Sequence, residues 1–136
     1  MSEPRARLGV RFCSLVVAAV VGAGPAQAAR VQQGTASWYG QREAGRTTSS
    51  GAVFDPARLT AAHRTLPLGT CVRVTRLSNG RSVIVPIIDR GPYVHGRLID
   101  VSEAAANALD MKRDGLATVR IEVVETCAVP VSLAVN

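Results

Sequence analysis

The stretch IVPIIDRGPYVHGRLIDVS, Ile84 to Ser102, holds two apolar runs, each of which delivers an aspartate at a junction. Val83, Ile84, Val85, Ile87 and Ile88 are the β-branched residues that suit a pleated, buried strand, and Asp89 ends that run just before the turn signal Gly91-Pro92. Leu98 and Ile99 lead into Asp100 in the same way. An aspartate in such a place is either a partner for backbone or part of a site. Asp100, or Ser102 two residues on, can cap a helix starting near Glu103 by accepting from unpaired backbone N–H groups. Asp89 has only Gly-Pro close behind it, so a turn bond to its own backbone competes with a functional role.

Working outward, Cys71 to Leu77 alternates in part, and Ser78-Asn79-Gly80 predicts a type I′ hairpin turn into a return strand from Ser82 to Ile88. Pro86 cannot donate to a ladder, which predicts an edge or a bulge there. Downstream, Glu103 to Asp110 predicts a short Ala-rich helix, and Thr118 to Val124 a strand with Val119, Ile121 and Val123 on one face. Upstream, GTASWY from Gly34 to Tyr39 predicts the first strand. Gly40 to Ala52 lacks apolar periodicity and predicts a long loop, of the kind that carries function in small domains. Asp55-Pro56 predicts the N-cap and first position of a short helix running through Leu59 and Ala62 towards Leu66, with His63 on or just after it. Roughly six strands with short helices and no internal repeat argue for a mostly-β barrel rather than a βαβ sheet.

The first residues read as a leader. Arg5, Arg7 and Arg11 precede an apolar run from Phe12 to Gly24 that ends at Ala26-Gln27-Ala28, the three regions of a secretory signal. The run is short for a membrane span, so cleavage is expected after Ala28, leaving one small domain, 29–136. Cys13 lacks a lipidation context and is expected to leave with the leader. Cys71 and Cys127 remain, an even pair in an oxidising compartment, and are expected to form a disulfide; a nucleophilic Cys71 working with His63 is the competing reading. The net charge of +6 would raise nucleic acid as a partner in a cytosolic protein, whereas export favours an anionic wall polymer or simple solubility. Aromatic residues make up only 4% of the chain, so the core must be aliphatic and Trp38, Tyr39 and Tyr93 stand out. Each either packs in the ordinary way or stacks on the apolar face of a sugar ring. His63, His95 and the two aspartates lack metal-ligand spacing, and no phosphate-cradling glycine motif is present, so neither metal nor cofactor is expected.

Six segments in order carry a resemblance: GTASWYG (34–40), GRTTSSG (45–51), LTAAHRTLPLGT (59–70), VRVTRLSNGRSVIV (72–85), IDRGP (88–92) and GRLIDVS (96–102). Together they resemble the RlpA-like (rare lipoprotein A) family over about Gly34 to Val124. The resemblance implies a six-stranded double-psi β-barrel with its core at about 34–125. It also implies a place in the periplasm or cell envelope, and lytic transglycosylase action on peptidoglycan glycan strands that lack stem peptides, leaving 1,6-anhydro ends. It further implies a catalytic role for Asp89, an active-site role for His63, and a place in the groove for Asp100. The barrel also looks like that of expansins, which loosen walls without cleaving them, and fold alone does not choose between activities. Three departures matter. The acidic residue that the family carries after Ser-Gly is Ala52 here, with Glu43 in the same loop the nearest candidate to replace it; no lipid-attachment cysteine is expected; and no C-terminal peptidoglycan-binding SPOR domain is expected. The alternative to an enzyme is therefore a polysaccharide-binding or wall-loosening module. The expected protein is a monomer without a lipid anchor or membrane span.

Lytic transglycosylation uses the sugar's own C6 hydroxyl as nucleophile, so one carboxyl can protonate the leaving oxygen and then accept the hydroxyl proton. Hydrolysis would normally need two. Asp89 is the expected acid, its pKa raised by the strands behind it, with Arg90 facing away because neighbours on a strand alternate.

Overall fold

The structure is a computed structural model that describes residues 30–128. The expected leader, Cys13 and the tail beyond Ala128 lie outside the described residues. Six strands form a closed barrel: β1 (Val31–Tyr39), β2 (Ala61–His63), β3 (Cys71–Arg76), β4 (Ser82–Asp89), β5 (Arg97–Ser102) and β6 (Leu116–Val124). Their order around the barrel is β1-β5-β2-β4-β3-β6, with β6 pairing back to β1. Two pairs are parallel, β1 with β5 and β2 with β4; the other four are antiparallel. This is the double-psi β-barrel that the sequence implied. The interior is aliphatic, with Val72, Val74, Val85, Ile87, Ile99, Val101, Val119 and Ile121 all buried. They recur at every second position because side chains along a strand alternate between faces.

One helix accompanies the strands among the described residues, α1 (Glu103–Ala108). Its N-cap is Ser102, whose Oγ accepts from the Ala105 N–H at 3.3 Å and from the Thr60 N–H at 3.3 Å. The cap is thus supplied without Asp100, which leaves that carboxylate for other work.

The helix expected after Asp55-Pro56 does not form. Asp55 accepts from the Ala57 N–H at 2.9 Å, and its carbonyl accepts from Arg58 at 3.1 Å, so the capping chemistry is spent on a single turn. The chain then extends, and Ala61–His63 becomes β2, flanked by β4 and β5. A strand in the wall of the barrel satisfies its backbone on both sides, which outweighs the helix preference of two alanines.

The hairpin stands where expected, but its turn is not type I′. That type needs positive φ at both central residues, and only Gly80 has it, at 71°. Four residues, Leu77 to Gly80, make the connection: the Arg76 N–H donates to the Arg81 carbonyl at 2.8 Å and the Gly80 N–H to the Arg76 carbonyl at 2.9 Å. Closure also removes the edge expected at Pro86, which pairs with Cys71 at the end of the β3/β4 ladder. The irregularity comes just after it. Along the β2/β4 pair, Ala61 faces Ile87 and Ala62 faces Asp89, so β4 carries one extra residue, Ile88.

Cys71 and Cys127 are disulfide-bonded, with Cα atoms 5.3 Å apart and a sequence separation of 56. The bond ties the start of β3 to the segment after β6. Closing a loop of this size stabilises such a domain by about 2–4 kcal/mol.

Candidate active site

The Ile88 bulge decides which face Asp89 occupies. Without it, Ala62 would face Ile88 and Asp89 would fall beside His63. With it, Asp89 pairs with Ala62, and Ala62 pairs with Asp100 on its other side. Asp100 in turn pairs with Ser37 of β1. Paired residues share a sheet face, so Ser37, Asp100, Ala62 and Asp89 form a row across four strands. Ala62 is small, so no bulky side chain stands between the two carboxylates. Neighbouring strands lie about 4.8 Å apart, which puts the backbones of the two aspartates roughly 10 Å apart. Both line one cleft of about 130 Å³, together with Tyr39, Glu43, Arg46 and Arg90.

The two carboxylates are held differently. Asp89, only 8% exposed, accepts at Oδ1 from the Ser49 N–H at 3.0 Å, the Ser49 hydroxyl at 2.8 Å and the Arg90 N–H at 2.9 Å. Its Oδ2 faces the Arg46 guanidinium at 3.6 Å. Burial pushes this carboxyl up, but the Ser49 and Arg90 donors and the Arg46 charge together hold it below the usual aspartate value. The upward shift expected from the sequence is therefore reversed. Asp100 has less support. Its Oδ1 accepts from the Ser37 hydroxyl, and burial raises its pKa, opposed by Ser37 and Arg97 and assisted by the charge of Glu43.

Two of the three donors to Asp89, both from Ser49, come from the long loop after β1, which has more structure than its composition implied. It begins with a 3-10 turn, Gln41–Glu43, and Thr47 then bridges to Val53. The Thr48 N–H and hydroxyl both donate to the Ala52 carbonyl, at 2.8 and 2.7 Å. Gly51, at a φ of 87°, closes the turn in a conformation that disfavours any residue with a Cβ. The Ser50 N–H then donates to the Ile88 carbonyl at 3.0 Å, so the bulge residue anchors the loop beside Asp89. Ala52 is exposed and does not line the cleft, whereas Glu43 does, with its Oε2 accepting from the Gly40 N–H at 3.1 Å.

Arg90 lines the cleft, but its guanidinium forms no ion pair with Asp89. Its Nη1 donates to the His63 carbonyl at 3.1 Å and the Leu66 carbonyl at 2.7 Å. Both carbonyls belong to a turn organised by His63. The structure does not bring His63 to the carboxylates: it pairs with the core residue Ile99, is 3% exposed and does not line the cleft. Its Nδ1 accepts from the Thr65 and Leu66 N–H groups at 3.1 and 3.0 Å, which assigns the proton to Nε2, facing Gln32 Oε1 at 3.3 Å. Burial, then Arg64 and Arg90, lower its pKa. The folded protein thus holds His63 neutral while the unfolded chain takes up a proton below about pH 6.5, so stability rises with pH through that range and is lost as the pH falls. His63→Leu is expected to lower the unfolding free energy by about 1–3 kcal/mol, because the buried Leu66 N–H loses its acceptor, and to flatten the acid dependence. Urea titrations at neutral and mildly acid pH read both effects.

Of the three aromatic residues singled out in the sequence, Tyr39 and Trp38 reach this side of the barrel. The Tyr39 ring lies against the buried Phe54, with centroids 4.3 Å apart. Its hydroxyl is buried without a hydrogen bond of ordinary geometry, and burial followed by the charge of Asp89 raises its pKa, keeping it a phenol. Trp38 donates from Nε1 to the Lys112 carbonyl at 3.2 Å and lines a trough next to the cleft. Tyr93 is 78% exposed in the segment between β4 and β5 and does not line the cleft. Among the described residues no group of three or more His, Cys, Asp or Glu side chains is placed to hold a metal ion.

Fold and cleft together define a double-psi β-barrel with a carboxylate-lined groove. A family model described as lytic transglycolase matches residues 31–121, and the chain belongs to that family, with RlpA proteins among its relatives. It is 57% identical over 93 residues to the probable endolytic peptidoglycan transglycosylase RlpA of Nostoc sp., covering 67% of this chain and 25% of that protein. It is 50% identical over 91 residues to the endolytic peptidoglycan transglycosylase RlpA of Campylobacter jejuni, covering 67% and 33%. The chain thus spans about a quarter to a third of the length of these relatives. Among solved structures, the apo expansin of Clavibacter michiganensis superposes with a TM-score of 0.59 at 23% identity, covering 74% of this chain and 53% of that one. The Streptomyces papain inhibitor does so with 0.56 at 23% identity, covering 70% and 94%. These two likenesses bear on fold alone.

Proposed function

We propose that this domain acts in the cell envelope and cleaves peptidoglycan glycan strands by lytic transglycosylation, with Asp100 as acid and base and Asp89 as a fixed negative charge. The single observation behind this division is the unequal hydrogen bonding of the two carboxylates. Three donors and a cation hold the Asp89 pKa down, whereas Asp100 is half-buried with one hydroxyl donor and its pKa is raised. Environments that push two carboxyls apart assign them to different roles. The roles are thus reversed from those expected in the sequence.

In this reading the Asp100 carboxyl gives its proton to the glycosidic oxygen as the C1–O bond breaks. The Asp89 carboxylate stabilises the positive charge that develops at C1. The sugar's C6 oxygen then bonds to C1, and its proton returns to Asp100, restoring the acid and leaving a 1,6-anhydro ring. No water is consumed. The relatives carry the name of this activity, and the shared barrel supports its extension to this chain. His63 serves as a positioning residue, since the turn it organises holds Arg90, whose N–H binds Asp89.

Incubating the purified chain with peptide-free sacculi is expected to release 1,6-anhydro-terminated fragments, detected by mass spectrometry. Absence of anhydro ends at high loading overturns the proposal. Sacculus binding without any product would instead make the domain a binding or loosening module, the reading that Ala52 favours.

A further inference from the structure

The cleft holds a third carboxylate beside Asp89 and Asp100. Glu43 enters it from the loop after β1, where the 3-10 turn Gln41–Glu43 fixes its backbone and the Gly40 N–H donates to its Oε2 at 3.1 Å. The pattern of ion pairs singles this residue out. The carboxylates that are partly or wholly buried among the described residues are Glu43, Asp89, Asp100, Glu103 and Glu122. Asp89 faces Arg46 at 3.6 Å, Glu103 faces Lys112 at 2.5 Å and Glu122 faces Arg73 at 2.8 Å. Among the described residues the two left without an ion pair are Glu43 and Asp100, and both line the one cleft.

We propose that Glu43 is the positioning residue of Asp100, the uncompensated negative charge that makes it hold its proton. This rests on the glycan-cleavage reading with Asp100 as its acid. Two like charges confined in about 130 Å³ do not ionise independently, and the second to ionise does so at a higher pH. The Ser37 hydroxyl can donate to an ionised Asp100 or accept from a protonated one, so Asp100 can release and regain a proton without losing its partner. The other groups around it do not supply the same push. From β1 comes Tyr39, a phenol, and from β2 only Ala62. β4 brings Asp89, offset by Arg46, and Arg90, whose guanidinium is held by the His63 and Leu66 carbonyls. Arg97, on β5 itself, opposes Glu43, while burial acts in the same direction as Glu43.

The pair can be read without turnover. In carbon NMR of isotope-labelled protein, the Asp100 carboxyl is expected to titrate about one pH unit lower in Glu43→Gln than in the unaltered chain. Glutamine keeps an oxygen for the Gly40 N–H, so the 3-10 turn should stay in place and the circular dichroism should not change. Glu43→Asp keeps the charge but shortens the reach to Gly40, and its Asp100 signal is expected to lie closer to that of the unaltered chain; a merely structural role for Glu43 predicts the reverse order. The alkaline limb of glycan cleavage should move to lower pH together with the Asp100 signal. An Asp100 titration that stays in place in Glu43→Gln overturns the inference even where cleavage continues. A shifted titration whose limb does not follow overturns both the inference and the choice of Asp100 as acid, with cleavage itself intact. A shifted titration with no anhydro ends from either protein upholds the pairing of Glu43 with Asp100 and overturns the cleavage reading.

Discussion

Asp89→Asn is expected to lower kcat for glycan cleavage by about two to three orders of magnitude while leaving the barrel folded. Asparagine keeps an acceptor oxygen for Ser49 and Arg90, so the loop that carries Ser49 remains anchored. What disappears is the negative charge. Because that charge acts on the cation formed during reaction rather than on the neutral strand, kcat and kcat/KM should fall together with little change in KM. A raised KM at constant kcat would instead make Asp89 a binding group. Asp89→Ala is a poorer test, since it strips an acceptor from buried donors at a cost of about 1–3 kcal/mol and loosens the loop as well. Circular dichroism on both variants separates the two effects.

The second large effect concerns Asp100 and is read most clearly from pH. Asp100 must be protonated to act as acid, and its pKa is raised by burial, so the rate should fall on the alkaline side only as the pH climbs through a value above the usual aspartate range. Asp89 must be ionised, and its pKa is lowered, so the acid limb should lie below that range. The profile is thus a bell wider than two ordinary aspartates would give. Asp100→Asn is expected to cost about 10²- to 10⁴-fold in kcat and to abolish the alkaline limb in the residual activity. Retention of that limb would assign it to another group, with Glu43 next in the cleft. An Asp89 variant that lost the alkaline limb would restore the order of roles expected from the sequence.

Much of the barrel was legible because its strands are buried on one face and therefore keep a period of two. Val119, Ile121 and Val123 marked β6, and the run from Val83 to Ile88 marked β4. Ser102 and Asp100 were both visible as junction residues, but only the register shows that Ser102 takes the cap. The failures share a cause. Ala61–His63 has no local signal for a strand, since its partners lie on β4 and β5, and Asp55-Pro56 supplied a false one. Ser49 looked like any loop serine, and its bonds to Asp89 span 40 residues. His63 was picked out by resemblance as a site residue, yet nothing in its neighbours' identities revealed that it faces the core side with Ile99.

The extra residue in β4 makes the cleft sensitive to length in a way that it is not to chemistry. Exchanging Val85 or Ile87 for another aliphatic changes packing by a methyl or two. Deleting Ile88 would leave every polar group of the cleft in the chain and Asp89 still opposite Ala62, yet it would remove the carbonyl that accepts from the Ser50 N–H and so detach the segment bearing Ser49 and Ser50 from its mooring. Chains of this family that lack one residue between Ile87 and Asp89 are therefore expected to keep the fold and lose turnover, even where both aspartates survive.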